Sequence, residues 1–139
     1  MYTYAFQNCE SLKEVNFGEK LEEMGSAAFY NCAALQSAYL PNSVTKVGGN
    51  AFRGCTSMTH ATIGSGTATI GSNAFVDCPA LTTVKCYAVT PPKVTKDYTF
   101  NSLFDTDVTG RTIKVPEASV ESYRTADMWK QYASEIVGF

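Results

Sequence analysis

Ala28-Phe29-Tyr30-Asn31-Cys32-Ala33-Ala34-Leu35-Gln36-Ser37-Ala38-Tyr39-Leu40 recurs, with small changes, every 23 residues. Phe6, Phe29, Phe52 and Phe75 share one position of the repeat, and Cys9, Cys32, Cys55 and Cys78 share another. Leu12, Leu35, Met58 and Leu81 keep the same register, as do Gly25, Gly48 and Gly71. A strict period with no insertion predicts a solenoid in which each repeat is one turn stacked on the last.

Two local patterns alternate within a repeat. The segments Leu12–Phe17, Leu35–Leu40, Met58–Ile63 and Leu81–Cys86 end in four residues that alternate outward and inward, the pattern of a short strand with one buried face. Stacked copies predict a parallel sheet along the solenoid. Val47-Gly48 reads as the end of a smaller second strand, and Ala51, Phe52 and Cys55 have the spacing of a single helical turn with its apolar side inward. The glycines Gly25, Gly48 and Gly71 mark a corner that needs a positive φ or a close backbone approach. The four Phe rings are expected to form the spine of the core.

These repeats resemble those of the BspA-type leucine-rich-repeat proteins of bacteria, which read approximately Ile-Gly-x-x-Ala-Phe-x-x-Cys-x-x-Leu-x-x-Val-x-Leu-Pro. Val47-Gly48, Ala51-Phe52, Cys55 and Leu40-Pro41 stand as that pattern has them, and the match runs from residue 1 to about 87. Departures are small: Tyr2 replaces the corner glycine, Met58 a leucine, and Ala38 and Ala61 a larger valine, while Phe17-Gly18 and Ile63-Gly64 replace Leu-Pro. The expected fold is an α/β repeat solenoid with a parallel sheet and short helical turns.

After Cys86 the period is lost. Pro91-Pro92 breaks the pattern, and a Thr- and Asp-rich stretch runs to Gly110. Thr112-Ile113-Lys114-Val115 reads as a strand, with Pro116 at a helix start and Val120 and Tyr123 on one helical face. Trp129, Tyr132, Ala133 and Ile136 form a helical stripe, with Asp127 as its cap. A solenoid must close its last turn against water, so residues 88–139 read as a C-terminal cap packed on a solenoid of about four repeats over 1–87. Ile113-Lys114-Val115-Pro116, Ser119–Tyr123 and Trp129 also resemble the ending common in the bacterial family. Met1 aligns with Met24, Val47 and Ile70, so the first repeat is truncated, which points to a fragment of a longer protein. Its turn is expected to be the least covered, a route to self-association through Phe6, Leu12, Val15 and Phe17.

Composition narrows the function. The 139 residues are 45% hydrophobic and 17% charged, with a net charge of −2, which excludes the basic balance of a nucleic-acid binder. No apolar run reaches the roughly 18 residues of a membrane span. The five cysteines invite a disulfide reading, and the repeat argues against it. All five take core positions, Cys86 aligning with Phe17, Leu40 and Ile63. Stacked turns set equivalent side chains about 4.8 Å apart and parallel, whereas a disulfide needs converging Cβ atoms about 3.8 Å apart. Buried, reduced thiols are expected.

No catalytic set can be assembled, and neither a cofactor nor a metal is expected. The one histidine, His60, falls in an outward strand position without partners. Asp105-Thr106-Asp107-Val108-Thr109-Gly110 follows the opening of a calcium loop, but Thr109 is a neutral ligand and Pro116 stands where a bidentate Glu is needed. Asn8, Asn31 and Asp77, with Gly54 in the remaining copy, precede the cysteines as turn residues.

The candidate site is a surface. Its outward rows are Glu14, Ser37, His60, Thr83 and Asn16, Tyr39, Thr62, Lys85, which vary in chemistry over an apolar interior. Such rows suit a non-enzymatic protein-recognition module. The family resemblance implies a secreted or cell-surface protein that adheres to host or bacterial surface proteins. A carbohydrate-binding or spacer role is the other reading, with Tyr39 as the one outward aromatic.

Overall fold

The computed structural model describes residues 1–96, 102–105 and 107–139. In chain order the strands are β1 (Glu23–Met24), β2 (Ser37–Tyr39), β3 (Lys46–Val47), β4 (His60–Ile63), β5 (Thr69–Gly71), β6 (Thr83–Cys86), β7 (Lys93–Thr95), β8 (Thr112–Val115) and β9 (Ile136–Gly138). They form two parallel sheets, ordered β1-β3-β5-β7 and β2-β4-β6-β8-β9. The chain is an α/β repeat solenoid, as the period predicts.

The register follows the sequence period. Met24 pairs with Val47 and Val47 with Ile70, while Ala38 pairs with Ala61 and Ala61 with Val84. These residues are all buried, and the side chains beside them in the strands are exposed or half-buried, so burial of every second side chain holds the register. Phe6, Phe29, Phe52 and Phe75 stack with centroids 5.1, 5.4 and 5.3 Å apart and planes within 10° of parallel.

The column does not stop there. Phe104 stacks on Phe75 at 5.6 Å, and Val94 pairs with Ile70, so both ladders continue past the point where the sequence period ends. The spacing from Phe75 to Phe104 differs from the repeat, which hides the equivalence in the sequence while leaving the stacking intact.

Between the sheets, Ala51-Phe52 and its counterparts do not form the expected helical turn. They form paired turns in which two residues four apart cross to the left-handed region: Ala27 and Asn31, Asn50 and Gly54, and Asn73 and Asp77 all have φ between 52° and 77°. In these turns the N–H groups of Ala27, Phe29 and Asn31 donate to carbonyls of the next turn (Gly49, Ala51 and Arg53, each at 2.8 Å). Tyr30 and Cys32 instead donate back to Ala27 and Phe29. The donors aimed outward tie each turn to the next. The corner glycines serve close approach: a Cβ on Gly48 would lie 2.5 Å from the carbonyl carbon of Gly25.

The C-terminal segment departs from the expected helical stripe. Pro116 does precede a short 3-10 helix (Glu117–Ser119), which leads into α1 (Val120–Thr125) with Tyr123 buried and Val120 half-buried. Trp129 and Tyr132 are buried at a second 3-10 segment, Lys130–Glu135, but Tyr132 leaves helical geometry (φ −108°, ψ 17°) and Ile136 begins β9. Pairing of Ile113 with Ile136 covers the edge of β8, which a continuing helix would have left unpaired. Asp127 caps no helix; it accepts from the Met128 N–H at 3.1 Å and pairs with Lys96 at 2.9 Å.

Three buried polar anchors fix this segment to the last turns. The Trp129 indole N–H donates to the Pro92 carbonyl at 2.8 Å, and the Tyr123 hydroxyl to Ala88 at 2.7 Å. The Tyr132 hydroxyl accepts from the Phe104 N–H and donates to its carbonyl, at 3.0 and 2.8 Å. Arg111, only 4% exposed, lies 5.0 Å from the Phe104 ring and 5.2 Å from that of Tyr132, and makes a forked pair with Glu135 at 2.7 and 3.2 Å.

Candidate interaction face

The outward side of the five-stranded sheet carries the predicted rows. One row runs Ser37, His60, Thr83 and on to Thr112; the other runs Tyr39, Thr62, Lys85 and on to Lys114 and Val137. Their strand neighbours Ala38, Ala61, Ile63, Val84, Cys86, Ile113 and Val115 are buried, so the alternation of the strands sets the orientation. Tyr39 is 60% exposed; His60 is exposed, and Ser37, Thr62, Thr83 and Lys85 are half-buried.

Glu14 and Asn16 are exposed but lie outside any strand. Leu12–Phe17 has a neighbouring turn on one side only, and Gln36 N–H to Lys13 carbonyl, 3.1 Å, is the backbone bond that joins it there. With so few ladder bonds the first copy does not hold strand geometry. The same turn leaves Phe6 40% exposed and Cys9, Leu12 and Val15 half-buried, while Phe17 is buried through contacts with Phe29 and Phe52.

Thr112, Lys114 and Val137 escaped sequence reading because β8 and β9 stand off the 23-residue period; the alternation of Thr112–Val115 was visible, but not its register. Past the row ends, Tyr87 and Phe139 sit edge to face with centroids 5.3 Å apart, and Lys85 Nζ lies 4.8 Å from the first ring and 4.2 Å from the second.

The groups capable of chemistry are committed elsewhere. His60 Nδ1 lies 2.8 Å from Thr59 Oγ1, a surface contact. All five cysteines are free; Cys9 is half-buried, contrary to expectation, because its turn is covered on one side only. Burial pushes the Cys78 thiol up to about 12 and raises those of Cys32, Cys55 and Cys86 as well, which keeps them protonated and poor nucleophiles. Cys32, Cys55 and Cys78 donate to the carbonyls of Phe6, Phe29 and Phe52. In the Asp105–Gly110 stretch, whose Thr106 lies outside the described residues, the Asp105 carboxylate accepts from the Asp77 and Cys78 N–H groups, each at 2.9 Å. It replaces the next-turn carbonyl that serves Asn31 and Gly54. Among the described residues, no group of three or more His, Cys, Asp or Glu side chains could hold a metal ion, and no helix is long and apolar enough to cross a membrane.

Comparison with known proteins agrees with this architecture. The pattern of the BspA type leucine rich repeat region (6 copies) matches residues 1–104, further than the 87 or so over which the sequence alone shows the resemblance. No curated protein matches the chain. Among solved structures, a leucine-rich repeat protein from Bacteroides ovatus ATCC 8483 superposes with a TM-score of 0.54 at 21% identity, over 84% of this chain and 40% of that one. The chain thus spans about 40% of that protein's length, and at this identity the likeness is one of fold. With its ladders, its phenylalanine column and its matched repeats, the chain belongs to the BspA-type leucine-rich-repeat family.

Proposed function

We propose that the chain is a non-enzymatic protein-recognition module, and that the outward face of the five-stranded sheet does the recognising. The observation that carries this is the contrast across one set of strands. Inward positions are uniformly apolar and buried, while outward positions run through Ser37, Tyr39, His60, Thr62, Thr83 and Lys85. A rigid backbone with freely varied side chains on one side is what a recognition surface needs. On this reading residues 88–139 are the cap that closes the last turn, and Glu14 and Asn16 sit at the rim of the face. Membership of the family supports a place outside the cell or on its surface, with adhesion to a host or bacterial protein as the role. The half-covered first turn, with Phe6 exposed, is a route to self-association.

A pull-down against a panel of purified matrix and cell-surface proteins tests this. It compares the chain with a variant in which Ser37, Tyr39, His60 and Thr62 are exchanged among one another. Capture by the chain and loss in the variant is the expected result; equal capture by both would exclude the sheet face.

A further inference from the structure

We infer that the β6–β8–β9 end of this face is an anchor for an acidic segment of a protein partner, one that presents carboxylates beside an apolar side chain; this rests on the reading of the sheet as the recognition face. Lys85 and Lys114 are directly paired across β6 and β8, and both point outward between buried neighbours. Like charges directly opposite one another destabilise a sheet. Among the described residues neither lysine makes an ion pair, and Glu117, the carboxylate against Gly138, is bonded to neither. The chain therefore carries two lysines in register on its outward face, neither in an ion pair, with the Lys85 ammonium over the rings of Tyr87 and Phe139. A partner carboxylate would relieve that repulsion.

Apolar surface adjoins the pair. Val137 is Lys114's neighbour in register and is 39% exposed, and the rings of Tyr87 and Phe139 are 40% and 46% exposed. Backbone bonds from Tyr87 to Ile63 (2.9 Å) and from Phe139 to Val115 (3.0 Å) tie both rings to the ladders, so little ordering is needed on binding. Exposed aromatic residues on rigid backbone, flanked by cations, are the composition of a binding hot spot. The same geometry disfavours a sugar. Stacking needs a free ring face, and here the rings meet at 68° with Lys85 Nζ over both. A single pair of lysines on a chain of net charge −2 is too little for nucleic acid.

The test is selection of a phage-displayed random peptide library on the whole chain, followed by titration of the recovered peptides against two double variants. Expected are peptides with neighbouring Asp or Glu residues next to an aromatic or aliphatic residue. Their affinity should weaken at least about tenfold in Lys85→Glu/Lys114→Glu, fall with added salt, and weaken less in Tyr39→Ala/His60→Ala than in the charge-reversed variant. Peptides that keep binding the charge-reversed variant but lose the Tyr39→Ala/His60→Ala one would overturn the anchor while leaving the sheet-face reading intact. No enriched peptide, or peptides indifferent to both variants, would overturn both. Binding of heparin, lost in the charge-reversed variant with no peptide recovered, would overturn the acidic-protein partner in favour of an anionic polysaccharide. Should charge reversal disturb folding by circular dichroism, Lys85→Gln/Lys114→Gln removes the same attraction without adding charge.

Discussion

Cys55 donates its thiol to the carbonyl oxygen of Phe29, one turn earlier, at 3.3 Å. Cys32 and Cys78 repeat the contact with Phe6 and Phe52 at 3.1 and 3.2 Å. The position thus asks for a small side chain that packs as an apolar group and still carries one donor, and cysteine meets both demands. Cys55→Ala is expected to cost about 1–2 kcal/mol, through a small void and a lost hydrogen bond. Urea unfolding measures it; an unchanged midpoint would mean that the thiol contact is incidental.

The same burial makes the cysteines differ in reactivity. With Ellman's reagent the native chain should titrate Cys9 and leave Cys32, Cys55, Cys78 and Cys86 unmodified until it unfolds. Rapid reaction of all five in native buffer would contradict the packing of the core.

Stability should also fall at alkaline pH. The Cys78 thiol, ordinarily 9.0, is raised by desolvation to about 12, with Cys32, Cys55 and Cys86 raised in the same direction. Above pH 9 the unfolded chain releases these protons and the native chain keeps them. The contribution is therefore whole below about 9 and is lost as pH climbs towards 12. A midpoint of denaturation that stayed flat from pH 8 to 11 would refute this.

Position within the phenylalanine column sets the cost of truncation. Phe52, flanked by Phe29 and Phe75 and fully buried, should lose about 3–5 kcal/mol as Phe52→Ala. Phe6, stacked on one side and 40% exposed, should lose about 1–2 kcal/mol as Phe6→Ala. Equal losses in thermal or urea melts would show that the first turn is covered in solution.

Arg111 ties the C-terminal segment to the ring column through Phe104, Tyr132 and Glu135. Arg111→Met leaves a largely buried carboxylate without its cation, at about 3 kcal/mol. Adding Glu135→Leu should recover most of that, and a double-mutant cycle measured by urea denaturation reads the coupling.

The recognition face is small. Five strands about 4.8 Å apart span about 19 Å, and with only one or two outward residues on each strand that face falls short of the roughly 800 Å² per partner of a stable complex. In monovalent titration the isolated chain should bind a protein partner no tighter than about micromolar, and tandem display should raise avidity about 10²–10⁴-fold. A nanomolar constant from the single chain would place the main contact elsewhere.

The solenoid, its inward and outward rows and its free thiols were legible in the period itself. Phe29 and Phe52 at one repeat position, with alternation in the strand segments, leave one way to bury the apolar side. What the period could not carry was any arrangement made by residues outside it. Phe104 completes the ring column from a different spacing, and Asp105 supplies with its side chain the acceptors that a further backbone turn would have offered. Ile136 reads as the end of a helical stripe and is a strand, because the open edge of β8 rewards pairing more than a weak local preference resists it. The turns between the sheets went the same way. Apolar spacing at Ala51, Phe52 and Cys55 suits a helix, yet donors aimed at the next turn make more bonds in a stack than a lone helical turn can. The Lys85–Lys114 pair and the rings beside it came together only when β8 and β9 joined the sheet, since contact across a ladder depends on register, and register there is set by three-dimensional packing.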